Sequence, residues 1–146
     1  MFVVKYTSGD IFLIPSNSGK FAVCQILCAF KNRFKKAFSF GVLGVADEEG
    51  KVDLADKEFL CIKNSRGMEV VIFASVEKLK NGDWKIVGNI PLTPEKTKLK
   101  YYRNAGAVYC EDEFLEVIEF SRYKEFNVLA VAGYDRVQRY IEQFFD

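Results

Sequence analysis

Short runs rich in Val, Ile, Phe and Tyr alternate along most of this chain with clusters of Gly, Asn, Ser and Asp. That is the rhythm of strands separated by turns. The punctuation falls at Ser8-Gly9-Asp10, Ser16-Asn17-Ser18-Gly19, Asp47-Glu48-Glu49-Gly50, Arg66-Gly67, Asn81-Gly82 and Asn104-Ala105-Gly106. Residues 10–15 and 20–30 are expected to form a first hairpin around the turn-prone residues 16–19, with residues 36–45 pairing next. Residues 21–30 are almost continuously apolar, which suits a central strand or a buried helix. The hairpin-like turn before them and their β-branched neighbours favour a strand. Within that run Gln25 must find a hydrogen-bond partner in the core or line a pocket.

Residues 68–76 and 84–90 are predicted to form a second hairpin, because Asn81-Gly82 readily accepts positive φ between β-prone segments. Trp84, Ile86 and Ile90 would share one face, with Lys85, Val87 and Asn89 on the other and Gly88 leaving room for a close neighbour. A sheet with one solvated face follows. Trp84 is expected to anchor the core.

At the C-terminus Tyr134, Val137, Tyr140, Ile141, Phe144 and Phe145 recur at helical spacing, opposite Asp135, Arg136, Gln138, Arg139, Glu142 and Gln143. Gly133 separates this helix from the apolar run 127–132, and Asp135 suits the positive end of the helix dipole. Thr93-Pro94-Glu95 is a helix start, but residues 96–100 are polar enough to allow only one turn. The chain has 146 residues, no Ser- or Pro-rich linker and no repeat of fixed period. The expected architecture is one domain over residues 1–146, of class α+β: a predominantly antiparallel, curved β-sheet with the C-terminal amphipathic helix packed on it.

Composition narrows the chemistry. Hydrophobic residues at 49% and charged residues at 28% exclude intrinsic disorder, and a formal net charge of +1 removes the global field typical of dedicated nucleic-acid binders. The absence of histidine excludes every His-dependent triad. Cys24, Cys28, Cys61 and Cys110 form no C-x-x-C pair, so neither a redox motif nor a zinc knuckle is expected. Residues 1–6 lack the pattern of a secretory leader, and no apolar run approaches membrane-spanning length. Reduced thiols in a cytoplasm, with no membrane partner, are the expectation.

Ser18-Gly19-Lys20 lacks the glycine-rich frame of a phosphate loop, and Gly41 and Gly44 complete no dinucleotide fingerprint, so they point to curvature or close packing. Asp47, Glu48, Glu49, Asp53, Asp56 and Glu58 flank a glycine turn without an apolar frame, which reads as a solvated loop rather than a carboxylate pair. Two charge clusters remain. Lys31, Arg33, Lys35 and Lys36 are interleaved with Phe30, Phe34 and Phe38, a pattern that stacking on single-stranded bases could use. Glu111, Asp112, Glu113, Glu116 and Glu119 could imitate a polyanion and occupy the basic active site of a nuclease.

Three segments carry a family pattern: Tyr6-x-x-Gly9-Asp10-Ile11-Phe12-Leu13-Ile14-Pro15, then Gly19-Lys20-Phe21-Ala22 with Gln25-Ile26-Leu27, then Trp84-Lys85-Ile86-Val87-Gly88-Asn89-Ile90-Pro91-Leu92. This resembles the immunity protein twenty-six family, and Gly133-Tyr134-Asp135 resembles its close. The resemblance implies an antidote in a bacterial polymorphic toxin system, including contact-dependent growth inhibition loci, that binds and neutralises the toxin C-terminal domain encoded beside it. It implies no enzyme, no cofactor and no direct nucleic-acid partner. The residues between 47 and 65 carry no matching pattern, and Cys24 stands where small residues are common. The acidic set from Glu111 to Glu119 is the candidate toxin-binding surface. The competing expectation is a β-rich module that binds nucleic acid or a small ligand through residues 31–36 or a pocket around Gln25.

Overall fold

In the computed structural model, which describes residues 4–64 and 67–145, the longest apolar runs become adjacent strands. They are β1 (Asp10–Pro15), β2 (Phe21–Ala29) and β3 (Ala37–Ala46), joined antiparallel with Phe12 opposite Cys24 and Gln25 opposite Gly41. None alternates polar with apolar, because both faces are covered. Phe12, Ile14, Cys24, Ile26, Phe38 and Phe40 face one core, whereas Ile11, Leu13, Val23 and Leu43 face another. The expectation of one solvated face is therefore corrected for the centre of the sheet. Shifts of register after Val23 and Ile26 bend the β2–β3 pair.

The chain continues through the short hairpin β4 (Ile62–Asn64) and β5 (Gly67–Glu69), then β6 (Ile72–Ser75), α1 (Glu77–Lys80), β7 (Ile86–Asn89) and α2 (Pro94–Thr97). The predicted second hairpin does not form. β6 pairs with β3 and β7 with β1, four strands apart in the order β12-β6-β3-β2-β1-β7. Gly82 does take positive φ, at 84°, but it follows α1 instead of joining strands. The helix hides in sequence because Leu79 is its one apolar residue. Gly88 does leave room for a neighbour: a Cβ there would stand 2.9 Å from Leu54. Arg66 of the Arg66-Gly67 turn signal, and residues 1–3 of the N-terminal segment, lie outside the described residues.

β8 (Tyr101–Asn104), β9 (Ala107–Cys110) and β10 (Glu113–Val117) form a smaller antiparallel sheet. The run 127–132 splits between the two sheets. β11 (Asn127–Val128) joins β8 in parallel, and β12 (Val131–Ala132) joins β6 in parallel. α3 (Tyr134–Glu142) then covers the Phe12 face, burying Val137 and Ile141 as its periodicity predicts. Trp84 lies in that core, stacked on Phe12 at 5.8 Å and edge-on to Tyr134 at 5.4 Å. The opposite face is closed by Val52 and Phe59 at one end and by β8 and β9 at the other, where Tyr102 and Tyr109 meet Leu27, Cys28 and Phe73. Among the described residues no helix is long and apolar enough to cross a membrane.

Candidate interaction surface

Two polar constellations lie outside the apolar cores. The first grows from Gln25, which β2 turns toward the face shared by Val23 and Leu27. Its amide donates to the Ile90 carbonyl at 2.8 Å and accepts from Lys96 Nζ at 2.8 Å. Lys96 is only 6% exposed, although its segment reads as polar. Thr93 caps α2 by accepting the Lys96 N–H, and this one turn delivers the lysine into the core. Its ammonium also meets Asp56 at 2.7 Å and lies 4.6 Å from the Phe59 ring centre. Gly41 makes the arrangement possible, since a Cβ there would stand 2.4 Å from the Phe59 ring.

A groove of about 540 Å³ opens beside Lys96, Phe59 and Leu99. Lys96 already satisfies a carboxylate and an amide, so its charge is committed to holding the 56–59 loop against the sheet. Of the other acids in that segment, Asp53 accepts the Ala55 N–H and pairs with Lys57, while Asp47, Glu48 and Glu49 pair with Lys20, Lys51 and Lys85 at the surface. Among the described residues no group of three or more Cys, Asp or Glu is placed to hold a metal ion.

The second constellation is the β9–β10 hairpin, which carries the acidic set. The structure divides that set in two. Glu111, at the turn with φ of 53°, pairs with Lys100 Nζ at 2.9 Å, and its carbonyl accepts the Tyr102 hydroxyl at 2.6 Å. The Asp112 carboxylate accepts the backbone N–H of Lys31 at 3.1 Å and of Asn32 at 3.2 Å. Asp112 thereby ties the basic loop to the acidic hairpin, so the two clusters, far apart in sequence, meet. Glu113, Glu116 and Glu119 are exposed instead. Glu116 reaches Arg122 at 3.2 Å, whose guanidinium is held charged first by Glu125 and then by Glu116. Glu113 and Glu119 have no ion pair among the described residues.

Sequence reasoning about this surface missed its apolar component. Phe114 is 53% exposed, Val117 75% and Phe120 82%, with Leu115 exposed beside them. The signal was present in the string Glu113-Phe114-Leu115-Glu116-Val117-Ile118-Glu119-Phe120, where acids and large apolar residues are interspersed and only Ile118 is buried. The basic cluster behaves differently. Arg33 donates to the Tyr109 hydroxyl and lies over Phe34, Phe34 packs between Phe30 and Tyr102, and Phe38 is in the Trp84 core. Phe30 and Phe38 are closed to a stacking base, whereas Phe34 is half-buried and lines a groove of about 420 Å³ with Arg33, Lys35 and Lys36.

A family model described as Immunity protein 26 matches residues 7–112, well over half of the chain. No curated protein and no solved structure matches it.

Proposed function

The chain belongs to the Immunity protein 26 family, and from that premise we propose that it binds a cognate bacterial toxin domain and neutralises it by stoichiometric association rather than by catalysis. The partner is the toxin C-terminal domain encoded beside it in a polymorphic toxin or contact-dependent inhibition locus, met in the cytoplasm. The contact surface is β10 and the segment after it, with Glu113, Glu116 and Glu119 facing the toxin and Glu111 and Asp112 fixing the hairpin that presents them.

One observation carries this reading: acids and large apolar side chains stand exposed together on one edge. Isolated exposed apolar residues are ordinary, but a contiguous group rimmed by charge is the usual composition of a recognition surface. The acids would orient and accelerate approach to a basic toxin surface, and the apolar groups would slow escape.

Co-expression with the adjacent toxin domain tests this, scored by growth rescue and by recovery of both proteins on one affinity tag. With wild-type protein, rescue and a 1:1 complex are expected. Reversing Glu113, Glu116 and Glu119 to Lys should slow association at low salt by about tenfold or more, with a smaller effect at high salt. An unchanged association rate would move the interface away from β10.

A further inference from the structure

β10 is the outermost strand of its sheet, paired on one side only, with β9. The six-stranded sheet treats its own edges differently. β12 is two residues long. β7 is four residues long, and the Asn89 side chain at its end reaches back to Ser8 and Asp10. Such short edges offer little template for another chain. β10 has five residues, all exposed, and no other described backbone group covers its outer side.

The direction of its donors can be read from the end of the strand. Ile118 N–H bonds inward to the Gly106 carbonyl at 2.9 Å, and Val117 lies opposite Ala107. Donors alternate in direction along an extended strand, which turns the Val117 N–H outward. Its side chain is exposed as well.

We infer that β10 is the acceptor edge for an extended segment of the toxin, which adds as a fifth strand to the small sheet and carries interspersed Lys or Arg and apolar side chains. This rests on the toxin-binding reading above. Backbone pairing supplies affinity in strand addition, and the side chains flanking the new strand supply choice of partner. The charge on the edge selects the occupant: Glu113 and Glu119 are unpaired by cations among the described residues, so an incoming cationic strand would satisfy them. A second copy of this chain would instead add its own Glu113, Glu116 and Glu119 to the same seam, and like charges across a strand pair are unfavourable.

The test is amide hydrogen exchange on the free protein and on its complex with the adjacent toxin domain, together with Val117→Pro and Val117→Ala. Strand addition should slow exchange at the Val117 amide by at least about tenfold in the complex, the equivalent of one added hydrogen bond. Val117→Pro removes an outward donor without removing a bond to β9, whereas Val117→Ala keeps the donor and loses only side-chain contact, so Val117→Pro should weaken the complex by about tenfold or more beyond the loss seen with Val117→Ala. If Val117→Pro fails to fold, the exchange measurement on the wild-type complex decides alone. A complex that forms and rescues growth with unchanged Val117 exchange would overturn strand addition and leave the toxin-binding reading in place. No rescue and no complex with an active toxin would overturn both. Protection of Val117 in a self-associated free protein would replace the cationic strand with a second copy.

Discussion

Phe12 and Phe114 are both aromatic residues on β-strands, and they lie in surroundings of opposite kinds. The ring of Phe12 is fully enclosed, 5.6 Å from Phe38, 5.1 Å from Phe40 and 5.8 Å from Trp84. Phe114 touches the edge of Tyr109 at 5.7 Å and otherwise faces solvent. β1 is flanked on both sides and covered on both faces, whereas β10 has one neighbour among the described residues and buries no residue. The large sheet buries most of its apolar residues, Val45 and Val131 excepted, and the small sheet leaves Phe114, Leu115 and Val117 outside. A single exposed apolar residue is ordinary, but several of them together on one short segment are a property to explain by association.

The sharpest way to break this contrast is to truncate one aromatic in each region. Phe12→Ala is expected to cost about 3–5 kcal/mol, because the surrounding rings cannot collapse into the space left. Phe120→Ala should change stability by less than about 0.5 kcal/mol. Chemical denaturation of both variants measures the difference, and the same two proteins should show the reverse ranking in toxin affinity once Phe12→Ala is compared under conditions where it is folded. Comparable stability losses would mean that the 114–120 segment is part of the folding core.

Between the two extremes stands Lys96, a charged residue that the structure uses as core. Lys96→Met should cost about 1–3 kcal/mol, since it leaves the buried Gln25 carbonyl oxygen without a donor while Asp56 can return to water. In a double-mutant cycle with Gln25→Leu the two losses should fall short of additivity by about 1 kcal/mol or more. Additive losses would show that Lys96 acts through Asp56 and Phe59 and not through Gln25.

These cases also mark what a reader of the sequence can recover. β1, β2, β3 and α3 are legible because continuous apolar runs or a 3.6-residue period leave few alternatives, and because Ser, Asn and Gly bound them. Gln25 is legible as a residue in need of partners, but the partners arrive from Lys96 and Ile90, which no local pattern connects to it. Asn81-Gly82 announces a turn correctly and says nothing about what the turn joins. The acidic set is clustered within nine residues of sequence, yet the ladder to β9 ends the hairpin turn between Asp112 and Glu113, so two of its members make internal bonds and three stay outside. Local propensity is available from the chain; the assignment of charges to internal or external work depends on pairing between distant segments.

The seam between the two sheets supplies the smallest test and the most selective one. There the Cys28 thiol is pushed up to about 12, mainly by burial, with Glu111 adding to the rise and Ser39 and Lys100 opposing it. Burial raises the Tyr102 hydroxyl too. In the unfolded chain a thiol loses its proton near pH 9, whereas in the folded protein Cys28 keeps it until much higher pH. Between those values the unfolded state binds fewer protons than the native state, so stability is present in full below about pH 9 and falls with rising pH by up to about 1.4 kcal/mol per unit for this one group. Cys28→Ala should therefore flatten the dependence between pH 9 and about 11, even though it lowers stability at neutral pH. Burial raises the Cys24 thiol in the Trp84 core as well, so the variant is the selective readout: in Cys28→Ala the amides where β2 meets β8 should be spared alkaline exchange while those around Trp84 still accelerate. Exchange that accelerates equally in both sheets would mean that they open as one cooperative unit, and that the contrast between them belongs to the surface alone.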